Sequence, residues 1–254
     1  MNNKFSLTIT HLYPKYMNIY SDIGNIIVLK KRCEWRNIEV NYKEVNLRER
    51  LPKGTDIYFM GGGQDDDQIK VFKDLQKKKN KLIKQIEKGV TFLGICGGFQ
   101  LLGKSFITGD KKVIKGIGVL DIETKSVSNN VKSRCIGNII AKLNNKVIDI
   151  YKMPLNTIVG FENHSGQTFL GSEVEPLGFV IKGNGNNIKD KNEGCIYKNV
   201  IGTYLHGSFL PKNPHIADWI IEKAIKRKYR KSIKLCKIDD EDAYKAHKFI
   251  LDNY

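Results

Sequence analysis

The sequence predicts an α/β fold: a mostly parallel central sheet with helices on both faces. Two observations carry this reading. Strand-like runs alternate with amphipathic stretches through the first half of the chain, the pattern of a parallel sheet covered by its own crossovers. Two of those strands, Thr55–Met60 and Gly89–Ile95, run directly into glycines, at Gly61-Gly62-Gly63 and around Cys96.

Taken in order, Phe5–Thr10 (FSLTIT) reads as a strand, followed by a turn at Pro14. A helix is expected from Ser21 to about Trp35, with Ser21 or Asp22 as its N-cap. Ile38–Val45 alternates as a second strand, and Thr55–Met60 is a third. A long amphipathic helix spans about Asp67–Lys88, with Ile69, Phe72, Leu75, Leu82 and Ile86 on one side. Gly89–Ile95 is the fourth strand and Phe99–Phe106 the helix after it. Beyond it come short β-like runs at Gly116–Glu123, Gly137–Leu143, Thr157–Glu162, Gly178–Lys182 and Gly194–Tyr197, joined by Gly/Asn-rich loops. The stretch Gly183–Glu193 looks the most flexible. A last clear helix is expected over Pro214–Tyr229, after NVIGTYLHG. Residues 5–230 are expected to form one domain, with 231–254 a helical C-terminal extension packed on it.

With 254 residues and 41% hydrophobic side chains, the chain can bury a sizeable core. No apolar run approaches the ~20 residues of a membrane span, and MNNKFSLTIT lacks the features of a signal peptide. A cytoplasmic protein is expected. The net charge of +16 favours anionic partners: nucleic acid, a membrane surface or a phosphate-bearing substrate. Lysines that simply fill solvated faces are the competing explanation. The stretch from Lys223 to Lys234 holds seven basic residues but sits at a predicted helix end, and with no aromatic-interleaved basic motif in the chain no specific nucleic-acid partner is expected. The five cysteines are widely spaced, with no CxxC pair, which argues against a zinc ribbon, a redox motif or a disulfide framework.

Residues 94–98 read Gly-Ile-Cys-Gly-Gly, a G-x-C-x-G at a strand-to-helix junction. This is the thiol counterpart of the G-x-S-x-G nucleophile elbow. A turn this sharp brings the residues two positions away too close for side chains, which suits Gly94 and Gly98. It lifts the Cys96 thiol clear of the sheet and sets it at a helix N-terminus, where the dipole favours thiolate. The next amide, Gly97 N–H, points where an oxyanion would form. A tight turn around a buried structural cysteine is the alternative. Cys33, Cys135, Cys195 and Cys236 lack this setting and are read as structural.

A thiolate needs a base. Of His11, His164, His206, His215 and His247, His206 follows an apolar strand in TYLHGSF. Active sites assemble at such strand ends, on the carboxyl edge of a parallel sheet. His164, in FENHSG, competes with it, and spacing alone does not decide. Gly61-Gly62-Gly63-Gln64 leaves a strand at the same edge, where glycine lets backbone N–H groups approach a ligand. Such a loop can bind phosphate or complete an oxyanion hole, but it lacks the Lys-Ser/Thr of a P-loop. Asp65-Asp66-Asp67 suit a helix start better than a metal.

Together these elements resemble the class I glutamine amidotransferases, whose fold is flavodoxin-like. The likeness is strongest to the cobyric-acid-synthase-like branch, in which the histidine is followed by glycine, as in Tyr204-Leu205-His206-Gly207. Within that branch the chain looks like the glutaminase subunits of lipid II isoglutaminyl synthases. The stretches that carry this are HLYPKYMNIYSDIGNI (11–26), GGGQDDDQ (61–68), GICGGFQLLG (94–103), IVGFENHSGQT (158–168) and GTYLHGSFLPKNP (202–214), and it covers about residues 5–230.

The resemblance implies that Cys96 attacks the side-chain amide of L-glutamine and that His206 carries the proton. Water then hydrolyses the thioester. The implied oxyanion donors are Gly97 and a member of the glycine loop, Gly62 or Gly63. Arg134 (VKSRCIG) and Gln100 are the implied glutamine contacts, with an ordinary surface charge the alternative for Arg134. No metal or cofactor is expected in this chain. ATP and any zinc would sit on a Mur-ligase-like (MurT-like) partner in a heterodimer. That partner would amidate the D-glutamate of lipid II to D-isoglutamine during peptidoglycan synthesis, at the inner face of the membrane. One departure stands out: other class I members usually carry a glutamate two positions after the histidine, and here that position is Ser208. A partner Asp or Glu is therefore expected to complete the site, with weak activity in the isolated chain; Glu162 is the local alternative. Rival readings are a glutaminase for cobyrinate amidation, which is normally part of one longer chain, a non-catalytic nucleic-acid-binding protein, and a pseudo-enzyme that only binds its partner.

Overall fold

The computed structural model describes residues 5–108, 111–126, 134–146 and 154–254. Its first half alternates strand and helix: β1 (Ser6–Leu12), α1 (Ile23–Glu34), β2 (Glu39–Val45), β3 (Ile57–Met60), α2 (Asp65–Glu87), β4 (Thr91–Ile95) and α3 (Gly97–Leu102). Short strands follow: β5 (Ser105–Ile107), β6 (Val113–Lys115), β7 (Ile122–Ser126), β8 (Cys135–Leu143), β9 (Thr157–His164), β10 (Gly166–Leu170), β11 (Gly178–Lys182) and β12 (Asn192–Glu193). The chain then returns through β13 (Cys195–Tyr197) and β14 (Val200–Thr203) to a 3-10 turn at Leu210–Lys212, α4 (Pro214–Tyr229) and α5 (Glu241–Asn253).

The central sheet has the order β13-β14-β4-β3-β1-β2. Every pairing in it is parallel except β13 with β14. Its middle strands β3, β4 and β14 are buried at every position, as strands covered on both faces must be, whereas the edge strand β2 is largely open to solvent. This order sets the carboxyl ends of β14, β4, β3 and β1 side by side. Two four-stranded sheets, β10-β7-β5-β6 and β12-β11-β8-β9, are built from the second half. No helix among the described residues is long and apolar enough to cross a membrane.

Several local expectations are corrected. The helix after Cys96 stops at Leu102 rather than running to Phe106. Gly103 ends it, and residues 105–107 pair with β7 instead. The run from Gly116 to Glu123 is a strand only from Ile122. Before that it folds back to satisfy the open end of α3: the amides of Ile117, Gly118 and Val119 donate to the carbonyls of Leu101, Gly103 and Leu102. The Gly183–Glu193 stretch is pinned rather than loose. Asn186 exchanges two hydrogen bonds with Gly194, and the Glu162 carboxylate accepts the amides of Asn184 and Gly185. The buried side of α2 also includes Val71 and a polar pair missed by periodicity, Asp74 and Lys78. Asp74 accepts from the Tyr13 hydroxyl at 3.0 Å and the Arg48 amide at 3.0 Å.

The C-terminal segment is tied down by charge. Arg32 of α1, with only 4% of its side chain exposed, donates to Asp218 of α4 at 2.6 and 2.7 Å and also pairs with Asp240, just before α5. Removing one member of a buried ion pair strands the other charge, typically at a cost of about 3–5 kcal/mol. Arg32→Ala is therefore expected to lower the urea midpoint at unchanged slope, by the equivalent of about 3 kcal/mol, since Arg36 still holds Asp218.

Candidate active site

Three strand ends of the central sheet, and the loop after a fourth, converge on one spot. Cys96 follows β4 at φ 49° and ψ −105°, a conformation that side chains avoid. The turn is held by Cys96 N–H to Thr203 O at 2.8 Å and by Gly98 N–H to Gly61 O at 3.1 Å. Its glycines are required by contact. A Cβ on Gly98 would lie 2.3 Å from Met60 O, and one on Gly94 would lie 3.1 Å from the Gly98 carbonyl carbon. Cys96 is nearly buried, with Gly97 opening α3 immediately after it.

His206 arrives from β14 and is wholly buried. Its backbone is fastened to Phe161 of β9 by hydrogen bonds of 2.8 and 3.3 Å. Gly62 stands against the ring: a Cβ there would be 2.7 Å from Cε1. Nε2 makes no hydrogen bond among the described residues. Nδ1 faces Asp22 Oδ1 at 3.2 Å.

Asp22 is the residue that sequence reasoning missed. Read as a helix cap, it does occupy the N-cap of α1, yet its side chain makes no capping bond. The carboxylate turns inward, with one oxygen on His206 and the other accepting the Gly62 amide at 2.7 Å. This sets a carboxylate of this chain beside His206, where an acid of the partner is expected. Glu162, the local alternative, points to Asn184 and Gly185 instead. Ser208, which replaces the usual glutamate, donates to the Ser21 carbonyl and so braces the loop that carries the acid. The only available signal was that Asp22 lies inside YMNIYSDIGN.

Burial disfavours a charged imidazole at position 206. The adjacent Cys96 sulfur and the Asp22 carboxylate outweigh it and hold the ring's pKa up at about 10. A cysteine beside a histidine that a buried carboxylate orients is the nucleophile–base–orienter arrangement of covalent catalysis.

The glycine loop divides its amides between two roles. Gly62 N–H is taken by Asp22, which removes it as the expected oxyanion donor. Gly63 N lies 3.1 Å from where a Cβ on Gly97 would stand, so Gly63 packs against the residue that follows Cys96. Arg134 is half-buried and donates to Asn163 Oδ1 at 2.8 and 3.1 Å. Asn163 in turn donates to the Tyr20 hydroxyl, and the Tyr20 ring meets His206 edge-on. Gln100 is buried behind the elbow, its amide nitrogen donating to the Tyr204 hydroxyl at 3.0 Å, so it braces the site from within. Glu193 also supports it: wholly buried, it accepts from Thr203 Oγ1 at 2.6 Å and Tyr204 N at 3.0 Å. Burial raises its carboxyl pKa to about 8.

The competing histidine has another setting. His164 stacks on Tyr204 at 3.7 Å, and its Nδ1 lies 2.7 Å from Gly166 O. Cys33, Cys135 and Cys195 are buried, whereas Cys236 is exposed. Asp65, Asp66 and Asp67 fill the first turn of α2.

Comparison with known proteins bears on the fold and the family. A glutamine amidotransferase from Thermotoga maritima superposes with a TM-score of 0.55 at 18% identity, over 96% of this chain and 93% of that one, a likeness of fold. Subunit GatD of the glutamine-hydrolysing lipid II isoglutaminyl synthase from Staphylococcus aureus is 46% identical over 87% of this chain and 86% of its own length. The Streptococcus pneumoniae subunit of the same name is 40% identical over 94% of this chain and 88% of its own. Residues 8–214 match the CobB/CobQ-like glutamine amidotransferase domain, and the chain belongs to that family.

Proposed function

We propose that this chain is the glutaminase subunit of a lipid II isoglutaminyl synthase. The observation that carries the chemistry is the strained Cys96 elbow beside a buried His206–Asp22 pair. Cys96 Sγ attacks the side-chain amide carbon of L-glutamine, and the resulting oxyanion is met by Gly97 and Gly63 N–H. His206 gives its proton to the leaving nitrogen, and ammonia departs. The ring then takes a proton from water, which cleaves the thioester and frees glutamate. Arg134 meets the α-carboxylate of the substrate. Residues 5–230 form the amidotransferase domain in this reading, and 231–254 its extension.

The names of the relatives support lipid II as the acceptor. Ammonia passes to a Mur-ligase-like partner, which holds ATP and any zinc and activates the D-glutamate of lipid II. The basic excess of the chain favours encounter with the anionic membrane surface that carries lipid II. The test supplies glutamine labelled with ¹⁵N in its side-chain amide to the chain, its partner, ATP and lipid II. Mass spectrometry is expected to find ¹⁵N in D-isoglutamine. Glutamine turnover with label only in free ammonia would overturn the acceptor and leave the glutaminase standing.

A further inference from the structure

The reacting groups are shielded: Cys96 is 6% exposed and His206 0%. Tyr20 forms part of the cover. Its ring stands edge-on to the His206 imidazole with centroids 5.1 Å apart, while 45% of the residue faces solvent. Its hydroxyl is held by Asn163 Nδ2 at 2.7 Å. Asn163 is held in turn by Arg134, whose Nη2 and Nε donate to Oδ1 at 2.8 and 3.1 Å, with Nη2 also 3.3 Å from the Asn163 carbonyl. The backbone beneath Tyr20 is strained, with Tyr20 at φ 50° and Ser21 at φ 62°. The next residue, Asp22, is pinned to His206 and Gly62. The ring therefore extends from a strained, one-sided anchor and is latched at its far end by the hydroxyl bond.

We propose that Tyr20 and Asn163 form a latch that the substrate's own α-carboxylate releases. This rests on the reading of Arg134 as the carboxylate contact. A guanidinium fork binds a carboxylate through two parallel hydrogen bonds between opposite charges, an attraction that its bonds to a neutral amide oxygen lack. Glutamine entering at Arg134 takes those donors from Asn163. Asn163 loses its orientation, the Tyr20 hydroxyl is freed, and the ring swings off His206, which lets the side-chain amide reach Cys96. Both are positioning residues. The latch also sets specificity: an amide that lacks a neighbouring free carboxylate leaves it closed.

The test reads access to Cys96 directly, as its alkylation by iodoacetamide followed by peptide mapping, with exposed Cys236 as internal reference. Tyr20→Phe keeps the ring and loses the latch; its Cys96 is expected to react on the order of 5-fold faster, as loss of one net hydrogen bond allows. Asn163→Asp keeps an acceptor for Tyr20 and pairs with Arg134 as an ion; its Cys96 is expected to react more slowly, and its KM for glutamine to rise with little change in kcat. The preference for L-glutamine over L-glutamine α-amide is expected to shrink in Tyr20→Phe. Equal Cys96 reactivity in wild type and both variants, with glutamine hydrolysis intact in wild type, overturns the latch but not the glutaminase reading. Altered reactivity in the variants with an unchanged KM in Arg134→Ala overturns release by the carboxylate.

Discussion

Replacing Cys96 with alanine is expected to abolish glutamine hydrolysis, with kcat falling by roughly 10⁴-fold or more, as removal of a covalent nucleophile does. Serine is expected to fare little better, because its alcohol is far less ionised than a thiol near neutral pH. An electrophilic glutamine analogue is expected to label Cys96 alone. Burial raises the Cys135 thiol to about 11 and the Cys33 thiol to about 12, and Cys195 is pushed well up. Cys236 is exposed but lies outside the elbow. Labelling at Cys135 or Cys195 with Cys96 spared, or turnover retained in Cys96→Ala, would place the nucleophile elsewhere.

Asp22→Asn is expected to have the second-largest effect. Loss of an orienting carboxylate from a catalytic histidine costs roughly 10²–10⁴-fold in kcat, because the imidazole loses its tautomer and the support for its charged form. The pH profile gives the signature. The His206 pKa is raised from 6.5 to about 10, against the lowering effect of burial, by Cys96 and Asp22. A raised pKa means the charged ring persists through neutral pH and is lost only as pH climbs through about 10, so the alkaline limb of the rate profile lies there. Its contribution to folding stability has the same sign: full below 6.5, gone above about 10. Without the Asp22 carboxylate one raising influence disappears, and the alkaline limb is expected to move to lower pH. Glu162→Gln is expected to leave the limb in place, since its carboxylate faces Asn184, Gly185 and His164 and not His206. Because Asp22 belongs to this chain, the defect is expected in the isolated subunit. A defect seen only in the complex, with a sensitive carboxylate on the partner, would return the orienting role to the partner.

Much of this molecule is written locally. The elbow needs only Gly94-Ile95-Cys96-Gly97-Gly98 between an apolar strand and a helix, and the strand before it ends at the expected Ile95. The helix Pro214–Tyr229 begins and ends at the expected residues. Hydrophobic period and turn chemistry depend on neighbours a few positions away, so a single sequence reveals them. By contrast, the stop of α3 at Leu102 comes from pairing across to β7. The burial of Asn186 and Asn187 depends on what surrounds that loop, not on its composition.

The candidate site divides along the same line. Cys96, His206 and the glycine loop were visible as strand-end residues, because any parallel sheet exposes its carboxyl edge. Which of them meet was decided by the strand order β14-β4-β3-β1, which is a property of the whole sheet. Asp22 and His206 are 184 residues apart in the chain, and no local rule connects them. An aspartate ahead of a helix reads locally as a cap. Only the packed fold turns its carboxylate inward, gives one oxygen to the Gly62 amide and the other to His206, and sets Ser208 against the loop behind it. Sequence thus determined the reacting groups, whose chemistry is intrinsic to residue type and turn. The tertiary structure decided their partners, because partnership is set by distance between elements that the chain itself keeps far apart.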